Sequence, residues 1–141
     1  MSDIVFISGH RDITPEEFAE HYAGEIAQAV VDGCSFVVGD CVGVDYMAQE
    51  LLKSAGAKNV IVFHISDNPM NFVEGFSKSA GYKSDVDRDF AMTMFSDRDL
   101  CWIRKGKERS GTAQNVQRRK FKKNGVKTIQ EVMTLEANMF L

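Results

Sequence analysis

Short apolar runs alternate with longer amphipathic stretches through most of the chain. Residues Ile4–Ile7, directly before Ser8-Gly9, are all β-branched or aromatic. Such a run, bounded by turn residues, is typical of a strand buried on both faces of a parallel sheet. Residues Ser35–Val38 and residues 59–65 repeat the pattern. The sequence therefore predicts three buried strands in the first half of the chain.

Amphipathic helices are predicted between these strands. The segment Thr14-Pro15-Glu16-Glu17 places proline after an N-cap threonine and glutamate three residues beyond the cap, which is a capping box. The helix that follows is expected to end at Gly33, and a second helix over residues 44–55 is expected to end at Gly56. Buried strands that alternate with amphipathic helices indicate a parallel sheet with right-handed crossovers.

The second half of the chain is less regular. Polar residues, glycines and a proline interrupt residues 66–85, so we expect a long loop there, and a loop of that length is usually functional or mobile. The remaining predictions are a helix at 86–95, a strand at 99–103, a helix at 113–124, a fifth strand at 126–129 and a helical tail at 130–141. Residues 1–141 are thus predicted to form one small α/β domain, a doubly wound, Rossmann-like parallel sheet of about five strands flanked by helices.

Glycines and polar residues follow three of the predicted strands. In an open parallel sheet, ligands bind outside the carboxyl ends of the strands, where loops and helix N-termini meet. Glycine allows a ligand to lie close to the backbone, and the amides of a helix N-terminus attract anions. The residues with this chemistry are Ser8, Gly9, His10 and Arg11 in the first loop, Gly39, Asp40 and Gly43 in the second, and Ser110, Gly111 and Thr112 in the third.

Each of these loops also has a purely structural interpretation. The glycines can serve as turn residues, Arg11 can pair with Asp12, and Asp45 and Thr112 can stabilise helix N-termini. The second loop contains neither G-x-G-x-x-G nor the lysine of a P-loop, which excludes the usual NAD and Walker motifs. We expect a ligand site because all three loops are predicted at the same edge of one sheet.

Composition and charge restrict the function classes. The chain has 141 residues, of which 44% are apolar and 26% charged, and its longest apolar runs are too short to span a membrane. The three cysteines form no C-x-x-C and the three histidines are dispersed, so neither disulfides, a metal site nor a cofactor is predicted. Cys41 in the second loop is expected to be a passive thiol. The chain opens without the features of a signal peptide, and the expected compartment is the reducing cytoplasm.

Basic residues are concentrated in one part of the sequence. Residues 98–127 contain eleven lysines and arginines and two acids, although the whole chain has a net charge of −3. The run Arg118-Arg119-Lys120-Phe121-Lys122-Lys123 lies on a predicted helix and would release counterions from a nucleic acid. A solvated helix face explains the same run, so nucleic-acid binding ranks behind a small-molecule ligand.

The order of these motifs resembles the SLOG superfamily. The elements that carry the resemblance are strand–SGHRD, strand–GDCVGVD–helix, the segment Arg88-Asp89-Phe90-Ala91-Met92, and strand–loop–Ser110-Gly111-Thr112–helix, and together they cover residues 4–129. That superfamily of small Rossmann-like proteins includes the LOG phosphoribohydrolases, nucleoside deoxyribosyltransferase relatives, DprA and the YspA/YpsA-like proteins. The second loop is most similar to the GG-x-x-G-A-D form of the YspA/YpsA-like branch.

The resemblance implies a nucleotide or nucleoside-phosphate ligand. Gly39, Gly43 and Asp45 would line its sugar-phosphate pocket, and Gly111 and Thr112 would hold phosphate. Arg88, with Met92, matches the R-x-x-x-M helix that LOG enzymes place against their site. LOG enzymes also carry an acid after PGG-x-GT, whereas this chain continues with Ala113-Gln114-Asn115.

The resulting functional prediction is a protein that binds a nucleotide or related ribose phosphate at the carboxyl edge of the sheet. It would cleave or transfer at the N-glycosidic bond with Asp45 and Arg88 as catalytic residues, because a carboxylate near the anomeric carbon stabilises an oxocarbenium-like state. The alternatives are a non-catalytic nucleotide sensor or sequestering module, and a DprA-like binder of single-stranded DNA. We also expect a homo-oligomer, because the apolar tail would otherwise expose Met139, Phe140 and Leu141.

Overall fold

A five-stranded sheet, all parallel, organises the molecule. The computed structural model describes residues 3–139. The strand order is β4-β3-β2-β1-β5, with every neighbouring pair parallel. The strands are β1 (Ile4–Ile7), β2 (Ser35–Val38), β3 (Val60–Phe63), β4 (Ser77–Ser79) and β5 (Arg98–Leu100).

Helices connect the strands and cover both faces of the sheet. The first connection is one continuous helical segment that contains a π-helical turn, Ala19–Ala23, between α1 (Pro15–Phe18) and α2 (Gly24–Val31). The other helices are α3 (Val44–Ser54), α4 (Asp85–Phe95), α5 (Gly111–Lys123) and α6 (Ile129–Met139). The predicted α/β fold, a small Rossmann-like parallel sheet flanked by helices, is confirmed.

Local capping determines where the helices begin. The capping box predicted at Thr14 is present: the Glu17 amide donates to Thr14 Oγ1 over 3.1 Å, and the Thr14 amide donates to Glu17 Oε1 over 3.0 Å. Helix α5 begins at Gly111 because Ser110 Oγ accepts from the Ala113 amide over 3.2 Å. Ser110 therefore caps the helix that borders the third predicted loop.

The apolar core lies on both sides of the sheet. Alternate strand residues, among them Val5, Phe36 and Val62, pack with Tyr22 and Leu52 on one face. The opposite face is smaller and combines Phe6, Val37 and Phe63 with Met92 of α4. Because successive strand residues point to opposite faces, strands that are apolar at every position need helices on both sides.

The predicted fifth strand is wrong. Residues 126–129 are not a strand: the Val126 amide donates to the Phe121 carbonyl and closes the C-terminus of α5, and α6 begins at Ile129. The strand that completes the sheet of five is β4, which lies inside the predicted loop at 66–85. There Ser77 pairs with Ile61 of β3. Ser77-Lys78-Ser79 is a polar edge strand and therefore has no apolar pattern to reveal it.

Two further boundaries differ from the prediction. Strand β5 ends at Leu100 rather than at residue 103, because the Trp102 amide donates to the Tyr22 hydroxyl instead of to a strand. The C-terminal helix α6 buries Val132 and leaves 53% of Met133 exposed. Phe140, Leu141 and the side chain of Met139, on which the expected oligomer partly rested, lie outside the residues that can be described.

The order in which strands are added to the sheet reverses between β1 and β5. Strands β1 to β4 follow one another outward in one direction, and β5 then returns to the other side of β1. In doubly wound sheets, such a reversal opens a crevice outside the carboxyl ends of the strands on either side of it. None of the helices in residues 3–139 has the length and apolar character that crossing a membrane requires.

Candidate functional site

A cleft of about 330 Å³ lies at the reversal point, at the carboxyl ends of β1 and β5. One wall is the loop after β1, residues 8–11, and the opposite wall is the first turn of α5, residues 110–112. Asp45 of α3 and three charged residues of α4 complete it; they are Asp85, Arg88 and Asp89. Four separate elements therefore contribute polar groups to one concavity.

The structure places nine of the twelve predicted site residues on the cleft wall. These are Ser8, Gly9, His10, Arg11, Asp45, Arg88, Ser110, Gly111 and Thr112. The other three, which are Gly39, Asp40 and Gly43, are not among the residues that line it.

The glycines of the second loop allow close contact with protein groups. A Cβ on Gly43, whose φ is +83°, would lie 2.5 Å from the carbonyl oxygens of both His10 and Arg11. A Cβ on Gly39 would lie 2.5 Å from Asp45 Oδ2. Gly39 and Gly43 thus let the second loop pack behind the first loop and behind the Asp45 carboxyl, and they support the cleft from outside it.

Asp45 is the most perturbed carboxyl of the cleft. Its side chain is buried, and burial raises its pKa to about 7. The Cys41 amide, which donates to Asp45 Oδ2 over 3.1 Å, and the charge of Arg88 favour the ionised form and oppose this rise. A carboxyl that titrates near neutrality can both give and accept a proton under physiological conditions.

Arg88 is held by three carboxylates. Its guanidinium lies 3.1 Å from Asp40 Oδ1, 3.2 Å from Asp89 Oδ1 and 3.3 Å from Asp85 Oδ1. Nearby acids, Asp89 foremost, raise the pKa of Arg88 although burial opposes this. The guanidinium is therefore a fixed, permanently charged group whose orientation depends on its acidic partners.

Asp40 connects the site to the long segment before α4. Its second oxygen accepts from the Met70 amide over 2.8 Å, and its carbonyl accepts from Asn71 Nδ2 over 3.0 Å. Fully buried Gln49 adds bonds to the Asn71 carbonyl and the Val73 amide, 3.0 and 2.9 Å long. These contacts give Asp40 a positioning role for both Arg88 and this segment.

Tyr22 fastens β1 to the edge strand β5, just beyond their carboxyl ends. Its hydroxyl donates to the Ser8 carbonyl over 2.8 Å and accepts from the Trp102 amide over 2.9 Å. Burial raises the pKa of this hydroxyl. Gly9 has no room for a side chain, because a Cβ there would overlap the Tyr22 hydroxyl and Val44.

His10 is a neutral ring at the cleft. Its Nε2 accepts from the Arg104 amide over 2.9 Å, so the proton of the neutral ring is on Nδ1. Burial, followed by the charge of Arg104, lowers its pKa. His10 therefore offers the cleft an uncharged imidazole.

The first turn of α5 and Ser8 provide hydrogen-bond donors that protein groups do not use. The first amides of a helix have no partner within the helix, and Gly111 has open space where a Cβ would be. The hydroxyl of Ser8 is buried and has no hydrogen-bond partner within the described chain. An anion at this point would meet the positive end of the helix dipole.

Among the polar residues that line the cleft, Asp85 and Asn115 were not singled out from the sequence. Both lie three residues from a predicted site residue on the same helix, Asp85 before Arg88 and Asn115 after Thr112, and that spacing places them on the same helix face. Extending the search by one helical turn would have found them. Cys41 also contacts the cleft, and burial raises the pKa of its thiol, which makes it a poor nucleophile.

The basic run on α5 is largely turned inward. Arg119 donates to Asp99 over 2.9 Å and to Ser96, and Lys122 Nζ donates to the Ser96 carbonyl over 2.6 Å. Arg118 is buried as well, which leaves Lys120 and Lys123 exposed among the five basic residues of the run. Much of this charge therefore caps the C-terminal end of α4 instead of facing solvent.

No protein-family model, curated protein or solved structure matches this chain at a significant level. Between residues 3 and 139, no three side chains of histidine, cysteine, aspartate or glutamate are grouped as metal ligands would be. The assignment of a function consequently rests on the geometry and chemistry of the cleft.

Proposed function

We propose that the cleft binds a nucleotide or a related ribose phosphate, with the phosphate at the first turn of α5 and the sugar directed towards Asp45. The observation that carries this proposal is the convergence of a capped helix N-terminus with a buried carboxyl and an arginine at the reversal point of the sheet. The resemblance of the sequence motifs to the SLOG superfamily supports the same ligand class.

The anionic end of the ligand is assigned to the first turn of α5, where hydrogen-bond donors have no partner among the described residues. The backbone amides of Gly111 and Thr112, together with the dipole of α5, favour a phosphate over a neutral group. Ser8 contributes a hydroxyl without a partner, and burying such a hydroxyl costs free energy that a ligand hydrogen bond recovers. Arg11 lies at the mouth with 63% of its side chain exposed and can approach an anion from solvent.

The acidic groups restrict the rest of the ligand. Asp45, Asp85 and Asp89 line the cleft, and Arg88 is already shared among acids. A chain of several phosphates would meet these carboxylates and be repelled, whereas sugar hydroxyls can donate to them. The arrangement favours a ligand with one phosphate and a hydroxyl-rich body.

The binding proposal is tested at Gly111. A side chain fits there without contact, and an acid in the first turn suits a helix. Gly111→Asp is therefore expected to fold normally but to lower the affinity for nucleoside 5′-monophosphates at least about tenfold, since its carboxylate would repel the phosphate. Calorimetry with a panel of nucleoside 5′-monophosphates, the matched nucleosides and inorganic phosphate provides the measurement.

Gly111→Asn is the matched control, because it has nearly the same shape and no charge. It is expected to bind more tightly than Gly111→Asp and to have a similar melting temperature. Equal affinity of the two variants would contradict the placement of the phosphate. A wild-type protein that binds none of the panel would overturn the proposed function itself.

Cleavage of the N-glycosidic bond is a second candidate function, favoured by the raised pKa of Asp45. In this reaction the bond between C1′ and the base nitrogen breaks, and the base leaves with the electron pair and takes up a proton. Water then adds to C1′ and loses a proton to a carboxylate. Asp45 would stabilise the positive charge that develops at C1′ and accept that proton, and Arg88 would hold the neighbouring acids in place.

Release of free base distinguishes the enzyme from a binding module. Chromatography of each incubated nucleotide would detect the base, and Asp45→Asn is expected to reduce its rate of formation at least about a hundredfold. Saturable binding without any released base would instead assign the cleft to sensing or sequestering a nucleotide. An unchanged rate in Asp45→Asn would remove this residue from the reaction.

A further inference from the structure

Arg118 is buried although it belongs to the basic run of α5. Only 2% of it is exposed. Its Nη1 donates to Asn115 Oδ1 over 2.8 Å, and its Nη2 donates to Gln114 Oε1 over 3.2 Å. Its Nε faces Glu136 Oε1 of α6 at 3.5 Å, and neither atom has a hydrogen-bond partner in the described structure. The guanidinium therefore joins α6 to a residue of the cleft wall.

The donor chemistry of Arg118 determines how Asn115 is oriented. A guanidinium has donors and no acceptor, so it must meet the carbonyl oxygen of the asparagine amide. The amide nitrogen of Asn115 is then left to face Asp89, where it favours the ionised form and so lowers the pKa of that carboxyl. Asn115 thus presents its oxygen to the Arg118 cation and its nitrogen to the Asp89 carboxylate.

The chain of contacts continues to the charged centre of the cleft. Asp89 Oδ1 accepts from Arg88 Nε over 3.2 Å, and Arg88 Nη1 donates to Asp40 over 3.1 Å. Asn115, Asp89 and Arg88 all line the cleft, whereas Arg118 does not. A side chain outside the cleft is therefore linked by successive contacts to three side chains inside it.

We infer that Arg118 is a positioning residue of the cleft, which fixes the Asn115 amide so that Asp89, and through it the Arg88 guanidinium, keep the orientation required for the ligand. This inference rests on the proposed function for the identity of the ligand, but its structural basis is independent of ligand binding. The competing interpretation is that Arg118 serves only to attach α6 through Glu136.

Loss of Arg118 would release the Asn115 amide from its single orientation. A rotated amide would present its oxygen to the Asp89 carboxylate, and the two oxygens would repel each other. Asp89 would also lose the Asn115 amide group that favours its ionised form. Burial already raises the pKa of Asp89, and Arg88, Arg118 and Asn115 oppose that rise. Asp89 would consequently titrate at higher pH without Arg118.

The test uses NMR of the ligand-free protein. Arg118→Met is expected to raise the titration midpoint of the Asp89 carboxyl and to shift the side-chain amide signals of Asn115, and Arg118→Lys is expected to restore part of both effects. Glu136→Gln keeps the bond from Arg118 to Asn115 and is expected to leave both signals as in the wild type. Asn115→Ala interrupts the chain one residue later and must reproduce the Asp89 shift if Arg118→Met does not fold.

Ligand binding provides the second readout. The affinity for a nucleoside 5′-monophosphate is expected to fall about tenfold in Arg118→Met and to stay within about twofold in Glu136→Gln. An unchanged Asp89 titration in Arg118→Met or Asn115→Ala would overturn the inference, as would equal effects of Arg118→Met and Glu136→Gln. A wild type that binds no monophosphate would refute the proposed function, while the NMR comparison would still decide the role of Arg118.

Discussion

The environment of Asp45 disfavours its ionised form more strongly than its neighbours favour it. The carboxyl accepts from the Cys41 amide and lies in the field of Arg88, but Asp40 and Asp89 add negative charge and burial is the largest contribution to its raised pKa. In the unfolded chain an aspartate titrates near 3.9. Because the folded pKa is about 7, the folded state binds a proton more tightly than the unfolded state does.

The sign of this difference predicts how stability depends on pH. Between pH 4 and pH 7 the folded protein retains the Asp45 proton and the unfolded chain does not, so the free energy of unfolding falls as the pH rises. Asp45→Asn should remove this slope and be more stable than the wild type at pH 8, by an amount on the order of 3 kcal/mol. Urea unfolding at one-unit intervals from pH 5 to pH 8 measures it.

Asp67→Asn is the control for this prediction, because Asp67 is exposed in the segment before β4. Its stability should follow that of the wild type at every pH. Parallel curves for the wild type and Asp45→Asn would show that Asp45 is ionised in the folded protein throughout this range, and would contradict the raised pKa that favours Asp45 as a group that exchanges protons near neutral pH.

At the scale of elements, α5 stabilises the end of α4 as well as one wall of the cleft. Lys122 Nζ donates to the carbonyl oxygens of Thr93, Met94 and Ser96 over 3.2, 3.0 and 2.6 Å. The last carbonyls of a helix have no partner within the helix, and a cation there also interacts favourably with the helix dipole. The basic side chains of α5 therefore fix the orientation of the helix that carries Arg88.

Lys122→Met retains the aliphatic stem and removes the three hydrogen bonds. We expect it to destabilise the protein by about 1–3 kcal/mol, because partly buried carbonyls lose their donors. Lys123→Met, at the exposed neighbouring position, should change the stability by less than about 0.5 kcal/mol. Denaturant unfolding of the two variants gives the comparison, and equal effects would show that the contacts of Lys122 do not stabilise the fold.

At the scale of the whole molecule, the sequence predicted the buried central strands correctly but not the strand β4 at the edge of the sheet. Buried strands such as Ile4–Ile7 have an unmistakable apolar pattern, whereas β4 consists of Ser77–Ser79 and forms only because β3 offers it a partner. Val126 is apolar enough to suggest a strand, but it closes α5. A tertiary contact decided the first case and a local helix C-cap the second, and neither leaves a periodic apolar pattern in the sequence.

The same distinction applies to the site. Polar residues directly after β1 and before α5 were expected at one edge because the carboxyl ends of parallel strands meet there, and these residues line one cleft. For Gly39 and Gly43 the sequence shows that close contact is permitted but not which group makes it, and here the contacts are with Asp45 and the first loop. Tyr22 lies within the helix predicted before Gly33, but its two hydrogen bonds across β1 and β5 depend on a π-helical turn that no spacing rule reveals.

Tyr22 joins β1 to β5, the two strands between which the strand order reverses. Its hydroxyl therefore matters for the cleft as a whole. Tyr22→Phe keeps the ring stacked on Phe18 but leaves the Ser8 carbonyl and the Trp102 amide without this partner. We expect a loss of stability of about 1–3 kcal/mol and faster hydrogen exchange at the Trp102 amide. Tyr46→Phe is the control, because the Tyr46 hydroxyl makes no hydrogen bond to the described residues. If exchange at Trp102 were as slow in Tyr22→Phe as in Tyr46→Phe, the ends of β1 and β5 would be joined by other contacts, and the cleft would keep its shape without this hydroxyl.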